Sequence, residues 1–447
     1  MSTIAAISTP RGVGGIAVIR VSGDDAAAVC GRIFLPKSGK AMDSYPAGTE
    51  VHGTFRDGSG DFDDGMAVLF RAPRSFTGED TAEFSCHGGL LVQQRLLAAC
   101  FAAGCVPAMP GEFSKRAFIN GKLTLSQAEA IGGIIDARTD ECLSAGLRQL
   151  GGSLSEEING ISHELVSAAA AICACADYPD EDITETTSEE LKERLGRVLG
   201  RLEALIKTHR YGKAISDGIK TVICGRPNTG KSTLMNRLCG EDRVIVSDSA
   251  GTTRDVVTET VRVGSVLLRL SDTAGIRDGA EGAEKSGIER SKSMIESAEL
   301  ILCVFDGSRD LTDDDRELIR ATEPYRANTV CVMNKCDLGR CASPFEPAVY
   351  VSAKSGDNMA QLYELINGFA GKNDAGNGEI IVSARQHAAA VRCAEAVRDA
   401  LTTLDGFTPD VAATDIARAA AAIGEIDGRT VGEEIVGEIF SHFCVGK

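Results

Sequence analysis

Apolar residues recur along this chain with two periods, and each period predicts one kind of element. Short runs of β-branched and other apolar residues predict strands at 16–21, 66–70 and 219–224. Apolar positions three and four residues apart predict a helix at 90–101 and helical structure from 123 to 150. An α+β region is therefore expected first, followed by a helical one.

The helical pattern returns on both sides of a region in which strands dominate. Helices are predicted at 187–209 and at 383–404, 408–423 and 430–443, whereas 265–270, 330–333 and 349–351 are predicted strands. This order predicts a multidomain α/β protein in which an α/β domain is inserted into a helical one. The predicted boundaries are 1–118 for an N-terminal α+β domain, 119–215 and 375–447 for the two parts of the helical domain, and 216–374 for the inserted domain.

Two capping boxes compete for the start of the helix near residue 123. Thr124 with Gln127 has the required spacing, and so does Ser126 with Glu129. Both alternatives stay open at this stage.

Composition narrows the class of protein. The chain has 447 residues and a net charge of -17, which argues against nucleic-acid binding through bulk charge but leaves room for a local basic groove. Trp is absent and aromatic residues make up 5%, so broad base-stacking surfaces are not expected.

Cysteine usage predicts the compartment. The 15 cysteines are scattered, no secretory signal precedes them, and no apolar run reaches the length of a membrane span. We expect a cytoplasmic protein with reduced, buried thiols, and we expect Cys173 and Cys175 to pack in a core.

The central strand leads into a complete phosphate-binding loop, Gly225-Arg-Pro-Asn-Thr-Gly-Lys-Ser232. A helical pattern follows it at 233–239, so the loop has the strand–loop–helix context that this motif requires. Its N–H groups are expected to bind phosphate oxygens at the positive end of the helix, with Lys231 on the β/γ-phosphates and the Ser232 hydroxyl on Mg²⁺.

Four shorter motifs follow the loop in a fixed order. Gly251-Thr-Thr-Arg-Asp255 resembles a switch I loop, and Asp272-Thr-Ala-Gly275 follows a predicted strand. Asn334-Lys-Cys-Asp337 and Ser352-Ala-Lys354 also each follow a strand. The Asp337 carboxylate can accept the two N–H donors of guanine, which adenine lacks, and Ser352–Lys354 is expected to cap the base. Together the motifs predict a Ras-like, doubly wound P-loop G domain that binds GTP.

One position departs from the regulatory GTPases. Ile276 directly follows the D-x-x-G motif, where those enzymes place a Gln that orients the attacking water. Asn228 is a candidate ligand for a monovalent cation that would act as an arginine finger does, but it also suits a turn-stabilising role. Glu284 is a candidate for orienting water, although local sequence alone favours an ordinary solvated acidic residue beside Glu281.

Motifs along nearly the whole chain resemble the MnmE (TrmE) family of tRNA-modification GTPases. Besides the nucleotide motifs, the resemblance rests on Ser75-Phe-Thr-Gly-Glu-Asp80, His87-Gly-Gly89, Pro110-Gly-Glu-Phe-Ser-Lys-Arg-Ala-Phe118, Leu125-Ser-Gln-Ala-Glu-Ala-Ile131 and the terminal Phe443-Cys-Val-Gly-Lys447. The family usually has Ile where this chain has Val445.

The resemblance implies a function and partners. The N-terminal domain would bind tetrahydrofolate (methylene- or formyl-) and dimerise. The homodimer would work with MnmG (GidA), an FAD-dependent partner, in a heterotetramer or larger complex. Together they would form the 5-aminomethyl or 5-carboxymethylaminomethyl group on the wobble uridine (position 34) of tRNA. Hydrolysis of GTP to GDP and phosphate would depend on K⁺, and no membrane is implied.

The resemblance also implies roles for individual residues. It assigns K⁺ to Asn228 and to the loop carbonyls of Ser247, Ser249 and Thr252, and Mg²⁺ to Ser232 and Thr253. It makes Glu284 catalytic together with Asn228, and places folate against Arg20, Glu83, Lys122 and Lys447. The full set of expected GTP-binding residues is Asn228, Thr229, Gly230, Lys231, Ser232, Thr233, Ser247, Asp248, Ser249, Ala250, Gly251, Thr252, Thr253, Asp272, Thr273, Ala274, Gly275, Asn334, Lys335, Asp337, Ser352, Ala353 and Lys354.

Two alternatives stay open. Cys444 matches the family's C-terminal cysteine and is a candidate for the modification chemistry, but simple packing would also explain it. A ribosome-assembly or RNA-binding GTPase is the second function that the nucleotide motifs allow, although no KH-type GXXG appendage is evident.

Overall fold

The structure is a computed structural model that describes residues 2–10, 12–177, 188–241, 258–271, 294–375, 378–406 and 409–446. Two compact units emerge from the packing. One comprises Met1–Gly132, Ser155–Ser162 and Ala421–Lys447, and the other Gly133–Leu154 and His163–Ala420. None of the described helices is long and apolar enough to cross a membrane.

The first unit is built on a seven-stranded sheet in the order β3-β4-β5-β6-β2-β1-β7. Neighbouring strands are antiparallel except β1 and β7, which are parallel. The strands are β1 (Ile4–Ile7), β2 (Ile16–Ser22), β3 (Phe34–Pro36), β4 (Glu50–Asp57), β5 (Gly60–Phe70), β6 (Thr81–His87) and β7 (Val106–Pro107).

Alternation along these strands divides the first unit into two apolar layers. Alternate residues of β2, such as Ile19 and Val21, are buried with residues of α1 (Ala26–Ile33) and α2 (Leu90–Ala102). The residues between them face the other side, where Ile4, Ala6 and Phe113 form a smaller cluster. Helix α3 (Glu112–Ile119) supplies Phe113 to that cluster.

The second unit contains a six-stranded sheet in the order β13-β12-β11-β8-β10-β9. Every pair is parallel except the β9–β10 hairpin. The central strands β11 and β12 are buried along their whole length, as expected for a parallel sheet covered on both faces. The strands are β8 (Ile219–Cys224), β9 (Thr258–Val263), β10 (Val266–Ser271), β11 (Leu300–Asp306), β12 (Thr329–Asn334) and β13 (Ala348–Tyr350).

The remaining helices follow the predicted succession. They are α4 (Leu125–Ile135), α5 (Asp140–Leu150), α6 (Ser153–Asp177), α7 (Ser188–Ser216), α8 (Lys231–Glu241), α9 (Asp313–Thr322), α10 (Met359–Phe369), α11 (Lys372–Ala375), α12 (Ala384–Gly406), α13 (Pro409–Asp427) and α14 (Glu433–Ser441), with short 3-10 turns at Met42–Ser44 and Glu323–Asn328. The predicted multidomain α/β fold is confirmed.

The helical region predicted from 123 to 150 is divided in the structure. Helix α4 ends at Ile135 and α5 begins at Asp140. The Thr139 side chain accepts a hydrogen bond from the Cys142 N–H and so caps the second helix. The apolar spacing continues through the break, so periodicity alone does not reveal it.

The start of α4 settles one of the open alternatives. The Thr124 N–H donates to Gln127 Oε1 at 2.9 Å, and the Gln127 N–H donates to Thr124 Oγ1 at 3.2 Å, which completes that capping box. The Ser126 hydroxyl donates instead to Asp427 Oδ1 at 2.7 Å.

The predicted burial is confirmed for most of the cysteines that the structure describes. All described cysteine thiols are free, and burial raises the pKa of the Cys30, Cys331 and Cys393 thiols to about 12. The expectation of core packing was wrong for Cys173, which is exposed on α6. The side chain of Cys175 lies outside the described residues.

Candidate functional site

The phosphate-binding loop lies between β8 and α8, as the sequence predicts. Strand order reverses at β8, which lies between β11 and β10, and such reversals open a ligand crevice at the carboxyl ends of the strands. The loop begins with Gly225 at φ +154°, and a Cβ there would lie 2.4 Å from the Val304 carbonyl oxygen. A glycine is therefore required where the loop passes β11.

Internal hydrogen bonds close the loop around the carbonyl of Arg226. Thr229 Oγ1 donates to this oxygen at 3.1 Å, and Lys231 Nζ donates to it at 2.8 Å. Lys231 therefore lies across the loop, within reach of the place where phosphate would bind. Ser232 and Thr233 are exposed in the first turn of α8, where helix N–H groups favour anions.

Asn228 has a left-handed backbone, with φ +64°. Asn tolerates this conformation better than most residues, which gives the position a structural reason. Its side chain is exposed, while its carbonyl accepts a hydrogen bond from Lys335 Nζ at 2.7 Å. A fixed backbone with an exposed amide is compatible with a cation ligand as well as with a turn.

Asn334 connects the phosphate loop to the loop after β13. Its Nδ2 donates to the Thr229 carbonyl at 2.9 Å, and its Oδ1 accepts from the Ala353 N–H at 2.9 Å. Asn334 is buried, so both amide ends are used inside the protein. Three of the predicted motifs thus meet at this side chain. Asp337, the predicted guanine acceptor, is exposed at the same edge.

Asp306 is a site residue that the sequence-based reasoning missed. It ends β11, and its carboxylate pairs with Lys335 at 2.8 Å and accepts from Ser308 Oγ at 2.6 Å. Burial alone would raise the pKa of Asp306, but the hydrogen bonds from Lys335 and Ser308 hold that pKa at about 2. The ionised carboxylate fixes Lys335, whose backbone has φ +63°. A lone acidic residue at the carboxyl end of a fully apolar strand was the available signal.

The loop Ser352–Lys354 is held from two sides. Asn334 holds it from the sheet, while Arg237 of α8 donates to the carbonyls of Ala353 at 3.1 Å and Lys354 at 2.8 Å. Arg237 was also missed, since an Arg in the second turn of a helix has no motif to mark it.

Several predicted residues lie outside the described part of the chain. The switch I set, which comprises Ser247, Asp248, Ser249, Ala250, Gly251, Thr252 and Thr253, is among them. So are Asp272, Thr273, Ala274, Gly275, Ile276, Glu284 and Lys447. Their roles stay predictions.

In the first unit, Arg20 and Glu83 are brought together across the sheet. They are direct neighbours on β2 and β6, and Arg20 Nε donates to Glu83 Oε1 at 2.8 Å. The Arg20 guanidinium also lies 5.3 Å from the ring centre of Phe76 and 5.7 Å from that of Phe113. Lys122, the third expected folate residue, is exposed and donates to the Pro73 carbonyl at 3.0 Å.

Within the first unit, the C-terminal tail lies against the end of β1 and the start of α3. Ser8 Oγ donates to the Gly446 carbonyl at 3.0 Å, and the Gly111 N–H donates to the Cys444 carbonyl at 3.3 Å. Because Ala6 pairs with Arg20 across β1 and β2, the end of the tail lies near the strand that carries Arg20. The Cys444 side chain is exposed, and its role stays a prediction.

A doubly wound sheet with a glycine loop between a buried strand and a helix defines a P-loop nucleotide-binding protein. Comparison with known proteins narrows this class. The model of the MnmE helical domain matches residues 125–444, and that of the GTP-binding protein TrmE N-terminus matches residues 3–122. The chain belongs to the MnmE family.

Similar proteins extend over the full length. A protein of Symbiobacterium thermophilum named tRNA modification GTPase MnmE is 40% identical over 455 residues, covering 100% of this chain and 99% of the relative. Proteins of the same name from Geobacillus thermodenitrificans and Lactobacillus delbrueckii subsp. bulgaricus are 39% and 38% identical, covering 100% of this chain and 99% and 98% of their own lengths. The G domain of the T. maritima FeoB iron transporter superposes on 34% of this chain and 98% of its own, at 23% identity and a TM-score of 0.26, too low to add to these matches.

Proposed function

We propose that this chain is a tRNA-modification GTPase that hydrolyses GTP to GDP and phosphate. The observation that carries the proposal is the match to relatives of that name over their whole length, with an intact phosphate loop between β8 and α8. We further propose that the hydrolysis drives formation of the 5-aminomethyl or 5-carboxymethylaminomethyl group on the wobble uridine (position 34) of cytoplasmic tRNA. The predicted domain boundaries at 118, 215 and 374 are part of this proposal.

The residues at the loop fit a bound nucleotide. Loop N–H groups and Lys231 would hold the phosphates, and Asn334 would keep the loop and the base-capping segment at a fixed separation. Ser232 and Thr253 would hold Mg²⁺, which neutralises phosphate charge when bound. Asn228 and the carbonyls of Ser247, Ser249 and Thr252 would hold K⁺, and Glu284 would orient the attacking water.

The face around Arg20 fits a folate. Arg20 and Glu83 present a cation and an acceptor side by side, with side chains 19% and 30% exposed. Phe76 and Phe113 lie beside the guanidinium, and flat rings favour contact with a flat pterin. Tetrahydrofolate would supply the one-carbon unit, with Lys122 and Lys447 on its carboxylates. The exposed Cys444 would lie near that face.

An exposed apolar patch supports a homodimer. Val13, Ile16 and Leu91 are 81%, 69% and 75% exposed, and the Gly14 N–H bonds to the Gly88 carbonyl beside them. A cluster of large, exposed aliphatic side chains marks a protein–protein interaction surface more often than a surface that stays in contact with water. The homodimer would work with the FAD-dependent MnmG.

The experiment that tests the GTPase proposal measures steady-state GTP turnover of the full chain in KCl and in NaCl. We expect several-fold faster turnover in KCl, because a cation at Asn228 would stabilise the transition-state charge. Asn228→Ala should remove the difference, and Glu284→Ala should lose turnover but keep GTP binding. Equal rates of the wild type in both salts would reject the K⁺ site, and undiminished turnover of Glu284→Ala would reject its role.

A further inference from the structure

We propose that Arg237 is a positioning residue that sets selectivity at position 6 of the purine base. The inference rests on the proposed GTP-binding function and deepens it. Arg237 lies in α8, six residues beyond Lys231, and its guanidinium reaches the loop that follows β13.

The contact is made to the backbone of the capping loop. Arg237 Nε donates to the Ala353 carbonyl at 3.1 Å, and one of its terminal nitrogens donates to the Lys354 carbonyl at 2.8 Å. Hydrogen bonds from a charged donor are stronger than neutral ones, and the planar fork of Arg fixes the direction of both carbonyls at once.

The loop has little freedom left once Arg237 is in place. The Ser352 N–H donates to the Asp357 carbonyl at 3.1 Å, and the Gly356 N–H donates to the Ser352 carbonyl at 2.8 Å. Gly356 has φ +94°, and a Cβ there would lie 3.5 Å from the Arg237 guanidinium carbon. The guanidinium is therefore packed under the turn as well as bonded to it.

Peptide geometry links this contact to the base. The Ala353–Lys354 peptide bond is trans, so its carbonyl and its N–H point in opposite directions. When Arg237 holds the Ala353 carbonyl toward α8, the N–H of Lys354 must point away from the helix. Among the described residues, no acceptor lies within hydrogen-bond distance of this N–H, and Lys354 is exposed.

An outward N–H on the capping loop suits a base with a carbonyl at position 6. Guanine and hypoxanthine carry O6 there, whereas adenine and 2,6-diaminopurine carry an amino group that also donates. Two donors cannot bond to each other, so the oriented loop favours O6. Asp337 would accept from the N1–H and the 2-amino group of guanine. Because 2,6-diaminopurine lacks the N1–H as well as O6, the contribution of Arg237 is read from the change in the GTP-to-diaminopurine affinity ratio between variants, in which the Asp337 contribution is constant.

The test compares three nucleotides on the full-length protein. GTP, ITP and 2,6-diaminopurine riboside triphosphate displace a ribose-labelled fluorescent GDP from the wild type, Arg237→Ala and Arg237→Lys. For Arg237→Ala we expect affinity for GTP and ITP to fall about tenfold by the same factor, with the diaminopurine nucleotide nearly unchanged. KM for GTP should rise while kcat stays within about twofold. Arg237→Lys, which keeps the charge, should fall between.

Arg320→Ala is the matched control, because Arg320 is exposed on α9, which packs in a different apolar cluster from α8. A general loss of order would weaken all three nucleotides equally and overturn the proposal, as would an unchanged GTP-to-diaminopurine ratio in Arg237→Ala. Failure of the wild type to bind GTP would instead overturn the proposed function.

Discussion

The nucleotide loop and the Arg20 face are built in opposite ways. At the nucleotide loop, the eight consecutive residues from Gly225 to Ser232, which join the end of β8 to the first turn of α8, supply the phosphate-binding groups. Two of their side chains make the closing hydrogen bonds to the Arg226 carbonyl. At the Arg20 face, the side chains come from β2, β6 and α3. The C-terminal tail also lies there, because Gly446 accepts a hydrogen bond from Ser8, 438 residues earlier in the sequence.

This difference shows which kind of binding site can be recognised from a sequence motif alone. A loop that binds its ligand through contiguous backbone groups tolerates few substitutions. Such a loop can therefore be recognised from a short sequence motif. A face made of side chains from distant strands has no local pattern, because the sheet register alone makes its members neighbours.

The largest expected effect on activity comes from a substitution that disables the nucleotide loop and leaves the Arg20 face intact. Lys231→Ala removes the lysine of the loop that would neutralise the phosphates, so GTP turnover should fall by at least about a hundredfold. Measuring phosphate release by the full-length protein checks this. Lys207→Ala, an exposed Lys on α7, is the matched control. Turnover within twofold of the wild type for Lys231→Ala would contradict the site.

A smaller effect is expected at the Arg20 face. Arg20→Ala leaves Glu83 without its partner and should weaken binding of 5-formyltetrahydrofolate about tenfold, with basal GTP turnover unchanged. Calorimetric titration of the full chain measures the affinity. Arg95→Ala is the control, because Arg95 pairs with Asp57 in the same unit, 2.6 Å away. Equal losses in both variants would mean that the effect is not specific to the face.

The smallest effect concerns the docked tail. Gly446 has φ +97°, and a Cβ there would lie 2.4 Å from the Ile7 carbonyl oxygen. Gly446→Ala should therefore cost about 1–2 kcal/mol locally and release the tail without unfolding the protein. Faster amide exchange at Gly111, which bonds to the Cys444 carbonyl, reports the release. Gly437→Ala is the control, since nothing lies within 4 Å of its added Cβ. Unchanged exchange in Gly446→Ala would show that the docking is not tight.

The same contrast explains what could be predicted from the sequence. The strand before the loop and the helix after it follow from apolar spacing and glycine chemistry, and so does the order of the later strands. The capping box of Thr124 and Gln127 was also within reach, because its partners are three residues apart.

The remaining contacts depend on tertiary neighbours. Asp306 matters because β11 delivers it to Lys335, and Arg237 matters because α8 passes below the Ala353 carbonyl. Neither neighbour is visible from local spacing. The break between α4 and α5 was missed for a related reason, since Thr139 acts as a cap only where the chain turns.

The central claim is that GTP hydrolysis at the β8–α8 loop serves modification of the tRNA wobble uridine. Mass spectrometry of tRNA nucleosides tests it most directly, in cells whose only copy of this protein is either the wild type or Lys231→Ala. The account predicts that the C5-modified wobble uridine is lost in the Lys231→Ala cells and present in the wild type. An unchanged level of that nucleoside in the variant, with its GTP turnover abolished, would contradict it.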